Sequence, residues 1–233
     1  SALPGVTVVD LAEPVARYGV REWFDAAAYE LGRVPFTPGW FAAAGATVAR
    51  SLVVRHTPPF KVLAVDADNT LWRGVAAEDG PRGVVIDAAA AAVQRMLLRK
   101  RAEGMLLVLV SKNAEADVWA VFDQNPDMLL SRAHFAGHRV NWSPKPDNLR
   151  ALAAELSLGL DSVIFLDDST AECAQVRAEL PEVLTLRLPA DRAEHEDFLS
   201  HVWALDTADL TDDDRGRADR YTAERERTAH RET

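Results

Sequence analysis

Short apolar runs alternate with amphipathic stretches along most of this chain, and the two periods separate its elements. Lys61–Val65, Met105–Val110, Ser162–Leu166 and Val183–Leu188 are nearly all apolar, the texture of strands buried on both faces of a parallel sheet. Between them, helical spacing predicts helices over Asp87–Glu103, Ala114–Gln124, Pro146–Ser157 and Thr170–Leu180. Such alternation folds as α/β, a doubly wound parallel sheet. Upstream, 11–29 and 37–53 read as two amphipathic helices, separated by Gly32 and Pro35 and closed by Thr57-Pro58-Pro59. The organisation expected is a helical extension over 1–58 packed on the core, an α/β core over 59–208, and a charged helix or linker over 209–233.

Composition narrows the partners. With 233 residues, 48% of them hydrophobic, the chain can bury a sizeable core. The 26 Lys+Arg against 36 Asp+Glu leave a net charge of −10, which argues against nucleic acid or an anionic membrane as partner, since both are held mainly by cations. One cysteine cannot form an internal disulfide. No apolar run reaches the roughly 18 to 20 residues of a membrane span, and SALPGVTVVD lacks the basic-then-apolar pattern of a secretory signal. The expected compartment is the cytoplasm.

In doubly wound sheets, ligands bind beyond the carboxyl ends of the strands. There the chain carries Asp66-Ala67-Asp68-Asn69-Thr70, Ser111-Lys112-Asn113 and Asp167-Asp168-Ser169, with Asn141-Trp142-Ser143-Pro144-Lys145 before a helix. Four carboxylates and a lysine on one edge repel each other and any phosphate unless a hard divalent cation sits among them, and Mg2+ is the natural occupant. In such a site Asp66 can attack phosphorus in line, and Asp68 can protonate the leaving oxygen and then activate water. Lys145 and the Ser111 hydroxyl would hold the remaining phosphate oxygens. Each piece also has a plain structural reading. Aspartates at strand ends form turns and caps, Asn69 and Thr70 can shape the turn, Lys112 and Asn113 can cap the following helix, and Ser169 with Glu172 reads as a capping box. His134 and His138 read as packed or surface residues.

The conjunction is more specific than its parts. VDADNTLW, VLVSKN, WSPK and IFLDDS together resemble the haloacid dehalogenase (HAD) superfamily. That resemblance implies Asp66 as nucleophile, Asp68 as general acid/base, and Ser111 and Lys145 as phosphate ligands, with Asn69, Thr70, Lys112 and Asn113 beside them. It implies Mg2+ held by Asp66, the Asp68 main-chain carbonyl and the Asp167–Asp168 pair, Asp168 being the better direct ligand. Insertions that could carry a cap are short, so a capless, open site is expected, which suits a substrate borne on a macromolecule.

A narrower resemblance runs over roughly residues 20–225. VDADNTLWRGVAAEDG, VSKNAEADVWAVF and the stretch from HFAGHRVNWSPK to LPEV are similar to FkbH-like proteins of polyketide biosynthesis. It implies that the chain takes D-glycerate from 1,3-bisphosphoglycerate, removes phosphate and loads a glyceryl thioester onto an acyl carrier protein. Arg73 stands where that pattern leads one to expect glycine, next to the nucleophile loop, where it can meet phosphate or solvent. Cys173, in DDSTAEC, becomes the expected acyl acceptor, although Cys173, Val176 and Leu180 also form a helical stripe that could face the sheet. Arg95–Arg101 is the basic cluster that could meet an acidic carrier. Two other readings use the same residues: a plain capless Mg2+-dependent phosphatase, and a non-catalytic docking module, which the intact carboxylate set disfavours.

Overall fold

The computed structural model describes residues 6, 8–12, 17–207, 216 and 221. The chain divides into two compact units, Ser1–Pro58 and Pro59–Thr233.

In the first unit, α1 (Ala26–Gly32) and α2 (Pro38–His56) are short and long helices respectively. The helix expected over 11–29 is not continuous: Ala12 and Arg17 are helical, but the chain turns at Gly19, φ +68°, and Phe24 bridges antiparallel to Phe36. Residues 13–16 of that stretch lie outside the described residues. The aromatic residues of that stretch have a tertiary use, since Trp23 lies against Phe24 and Phe36 while Phe36 stacks on Trp40 with centroids 3.8 Å apart. Helix α1 starts instead at Asp25, whose carboxylate accepts the Ala28 N–H at 2.9 Å. Helix α2 is capped by Thr37 with Pro38 in its first turn.

The second unit is a five-stranded parallel sheet of order β3-β2-β1-β4-β5. Its strands are β1 (Val62–Val65), β2 (Leu106–Ser111), β3 (Phe135–Val140), β4 (Val163–Asp167) and β5 (Leu184–Arg187). The connecting helices are α3 (Ala76–Asp79), α4 (Ala88–Ala102), α5 (Glu115–Gln124), α6 (Lys145–Glu155), α7 (Thr170–Glu179) and α8 (His195–His201). The central strands show no polar alternation because both their faces are covered. Leu63, Val65, Leu107, Leu109, Ile164 and Leu166 face one core with residues of α4, α5 and α8. Their neighbours Val62, Ala64, Leu106, Val108, Val163 and Phe165 face the other, with residues of α6 and α7.

Strand β3 is the element the apolar runs did not announce. It lies at the sheet edge, and His138 and Arg139 are only half-buried, so its sequence carries the polar residues that a two-faced core strand lacks. Both connections where a cap could be inserted are short. After β1 the chain makes a small flap, with an Arg73–Val85 bridge and the four-residue α3; after β2 it makes α5 and a 3-10 turn at Arg132–His134. Among the described residues, no helix is long and apolar enough to cross a membrane. The charged segment expected over 209–233 lies outside the described residues apart from 216 and 221. Within the basic cluster Lys100 is buried, its ammonium paired with Glu103 and donating to Thr207 at 2.9 Å, so it is not part of a surface patch.

Candidate active site

The strand order reverses at β1, because the chain steps outward through β2 and β3 on one side and through β4 and β5 on the other. That is where doubly wound sheets open a crevice. The Asp66 N–H donates to Leu166 O at 3.0 Å, extending the β1–β4 ladder by one residue and setting Asp66 beside Asp167. Ligand atoms of Asp66, Asp167 and Asp168 all lie within 4.8 Å of one another.

Lys145, the first residue of α6, reaches into this group with its side chain 2% exposed. Its ammonium bonds to Asp66 and, at 2.8 Å, to Asp167 Oδ2. Burial alone would lower the lysine, but the charges of Asp66 and Asp167 and their hydrogen bonds outweigh it, and Lys145 is pushed up to about 12. Burial pushes the Asp66 carboxyl up, and burial followed by the charge of Asp66 pushes Asp167 up to about 6. One ammonium therefore does not fully compensate three carboxylates. The donor set consists of hard oxygens at close range and suits a small divalent cation.

The acidic pair is not equivalent. Both oxygens of Asp167 are engaged by protein donors, Oδ2 by Lys145 and Oδ1 by the Ser169 N–H at 2.7 Å. Asp168 is half-buried and accepts a long 3.5 Å contact from Thr70 Oγ1; burial and the charge of Asp167 raise it.

The Asp68 carboxylate is held by donors outside the triad. Its Oδ1 accepts from the Trp72 indole N–H and the Ala76 N–H, both at 2.9 Å, and its Oδ2 accepts from Asn113 Nδ2 at 2.8 Å. Burial raises its carboxyl, with the Ala76 and Trp72 hydrogen bonds opposing. The turn that presents it needs a left-handed residue at Asn69, φ +56°, whose Oδ1 accepts the Gly74 N–H at 3.0 Å. Gly74 itself sits at φ +110°, where an added Cβ would lie 2.5 Å from Asp79 Oδ2. Arg73 is exposed, joined to the flap through its backbone bridge to Val85.

On the other flank of β1, Ser111 ends β2 and is 2% exposed. Asn113 is not the cap of α5. That helix has Ala114 at its N-cap position with no side-chain cap bond, and the Asn113 amide holds Asp68 instead. Lys112 likewise points to Glu172, at 2.8 Å. Ser169 does cap α7, accepting the Glu172 N–H at 3.3 Å, but the Glu172 side chain goes to Lys112, so only half of the capping box is present. Cys173, Val176 and Leu180 are all buried, Cys173 with 0% exposure. Its thiol donates to Asp167 O at 3.8 Å. Burial, then the charge of Asp167, pushes it up to about 11, so in this geometry it is a protonated, enclosed thiol rather than an accessible nucleophile. His134 and His138 bond to Ser131 and Glu115, away from the cluster.

Trp72 carried no chemical signal in the sequence, and Asn113, expected beside the phosphate ligands, carried none for its bond to Asp68. Trp72 is four residues after Asp68, a spacing that could have suggested an indole bond back across the turn. Asn113 is 45 residues from the carboxylate that it holds, a pairing no local pattern encodes.

No protein-family model and no curated protein matches the chain. Among solved structures, the chain is similar to the N-terminal part of the Bacteroides fragilis protein BF1531, which contains a phosphatase domain and is complexed with Mg. The TM-score is 0.74 and the identity 28%, over 86% of this chain and 55% of that one. This chain thus spans about half the length of that solved chain. A HAD family enzyme of Bacteroides thetaiotaomicron, solved with magnesium and inorganic phosphate, aligns with TM-score 0.45 and 15% identity, over 57% of this chain and 96% of that one.

Proposed function

We propose that this chain, whose core has the fold of the haloacid dehalogenase superfamily, is a Mg2+-dependent phosphatase with Asp66 as its nucleophile. The observation that carries the reading is the close triad of Asp66, Asp167 and Asp168 around buried Lys145, at the point where the strand order reverses. Asp66, Asp168 and the Asp68 main-chain carbonyl would hold Mg2+, with Asp167 fixed between Lys145 and the Ser169 N–H. When bound, Mg2+ supplies positive charge that draws phosphoryl oxygens toward Asp66 and offsets charge developing on them.

The remaining steps belong to the chain's own groups. A carboxylate oxygen of Asp66 attacks phosphorus opposite the leaving oxygen, forming an aspartyl-phosphate as the bond to that oxygen breaks. Asp68, held by Trp72, Ala76 and Asn113, gives its proton to the leaving oxygen. It then takes one from the water that attacks phosphorus, which returns the Asp66 carboxylate and releases phosphate. Lys145 and Ser111 hold the phosphoryl oxygens, with Asn69 and Thr70 shaping the loop beneath them.

The finer reading places this site in a glyceryl transferase that takes 1,3-bisphosphoglycerate, removes the C3 phosphate and loads the acyl group onto an acyl carrier protein. The FkbH-like motifs support it, as does the short flap in place of a cap, since a carrier-bound thiol needs an open approach. In that reading the Cys173 sulfur attacks the C1 carbonyl carbon and expels phosphate to give a thioester, and the carrier's phosphopantetheine thiol then takes the glyceryl group and frees Cys173. Because Cys173 has no exposed surface, this step requires the first turn of α7 to open, and the enclosed thiol favours the plain phosphatase as second reading. Intact-mass measurement after incubation with 1,3-bisphosphoglycerate and Mg2+ separates the two. A glyceryl adduct on wild type that is absent from Cys173→Ala supports the transferase. Phosphate release without an adduct or carrier loading leaves the phosphatase, and no phosphate release from any phosphate ester refutes both.

A further inference from the structure

We propose that Arg192 is a positioning residue for the nucleophile loop, a strut that ties the loop's backbone to the start of α4. This rests on the reading of Asp66 and Asp68 given above. Arg192 Nη1 donates to the Asn69 carbonyl at 2.7 Å, from 123 residues further along the chain. Its Nε and Nη2 donate to the two oxygens of Asp87, each at 2.8 Å, the forked geometry that a guanidinium makes and an ammonium cannot. Asp87 is also the N-cap of α4, accepting the Ala90 N–H at 2.8 Å, and the Arg192 hydrogen bonds hold its carboxyl below the ordinary range. One planar group therefore fastens the residue after Asp68 to a helix terminus.

The strut is itself anchored. Arg192 opens a 3-10 turn capped by Asp191, whose carboxylate accepts the Ala193 N–H at 2.9 Å. His195, 1% exposed, bonds to Pro189 O at 3.0 Å. The Asn69 side chain and N–H are already committed to Gly74, so its carbonyl is the group through which Asn69 itself can be held from outside the loop. Arg192 also borders a cavity of about 250 Å³ with Asp87, Ala88, Ala89, Ala193 and Glu196. No residue of the acidic cluster lines that cavity, so Arg192 acts through Asn69 rather than on a substrate.

Misplacing reacting groups by about 1 Å can cost on the order of 100-fold in rate. Arg192→Ala is therefore expected to lower kcat by about 10- to 100-fold with KM within about threefold. Orthovanadate takes the five-coordinate geometry of a phosphoryl group in flight, whereas inorganic phosphate does not. The variant should lose vanadate inhibition by the same factor as kcat while phosphate inhibition stays unchanged, and Arg192→Lys should recover part of both. Amide exchange over 66–74 should quicken in Arg192→Ala while exchange in β4 stays as in wild type. Unchanged exchange over 66–74 overturns the proposal whatever the activity, and so does an equal loss of vanadate and phosphate inhibition, which marks general loss of folded sites. Faster exchange in a protein whose wild type releases no phosphate would leave the strut standing and defeat the phosphatase reading instead.

Discussion

Replacing Lys145 by methionine keeps most of the aliphatic stem and removes the charge, which isolates the electrostatic part of the acidic cluster. The Lys145 side chain is 2% exposed and its ammonium is bonded to Asp66 and Asp167, so the variant leaves two buried carboxylates side by side. Removing one partner of a buried ion pair costs about 3–5 kcal/mol. In a chain of this size each kcal/mol lowers the unfolding midpoint by about 2–4 °C, so the expected loss is roughly 6–20 °C in metal-free buffer near pH 8. The sign of the pH dependence follows from Asp167, already pushed up to about 6 in the wild type. A carboxyl whose folded pKa lies above its unfolded value stabilises the fold below the unfolded value, and that contribution is lost as pH rises through the folded one. Without Lys145 both carboxyls move higher still. The cost should therefore be full near pH 8 and largely relieved near pH 5, where the pair can take up protons. Excess Mg2+ should restore part of it near pH 8 by supplying the missing charge. Calorimetric melts of wild type and Lys145→Met at both pH values, with a chelator and with Mg2+, test this. A midpoint within about 2 °C of wild type near pH 8 with chelator refutes the reasoning, and equal losses at both pH values would assign the effect to packing.

Other expectations follow from single residues. Asp66→Asn should reduce phosphate release by on the order of 10^4-fold or more, measured as inorganic phosphate; retained turnover would place the nucleophile elsewhere. Cys173, with its thiol pushed up to about 11, has an ionised fraction near pH 7.5 on the order of 100-fold below that of an unshifted thiol. Iodoacetamide should therefore label it far more slowly in native than in unfolded protein, and comparable rates would show that α7 opens. Gly74→Ala puts a side chain at φ +110° against the Asp79 carboxylate. It should cost about 1–2 kcal/mol, read as a midpoint lower by about 2–8 °C, and an unchanged midpoint would count against the flap geometry.

Of the carboxylates expected at the strand ends, Asp66, Asp167 and Asp168 come together, because all strands of a parallel sheet point their carboxyl ends to one edge and apolar runs mark those ends. Asp66, Asp167 and Asp168 could thus be placed from the apolar runs, and Lys145 from the helix that it opens. The same logic missed β3, where an edge position permits His138 and Arg139 and so erases the apolar run. It also ran a helix through Trp23 and Phe24, which belong to an aromatic cluster with Phe36. Cys173 fitted two patterns at once, a helix start beside an acidic pair and a stripe facing the sheet, and its burial was decided by packing.

What the sequence determined by itself is the layer architecture and the inventory at the sheet edge, both written within a few residues of each strand. Only the tertiary structure decided which way those groups face: Asp68 toward Trp72 and Asn113, Lys112 toward Glu172, Arg192 onto the Asn69 carbonyl. The reason is physical. Periodicity is a local property of the chain, whereas a buried polar group must find its partner wherever packing brings one within about 3 Å, and here those partners lie 45, 60 and 123 residues away.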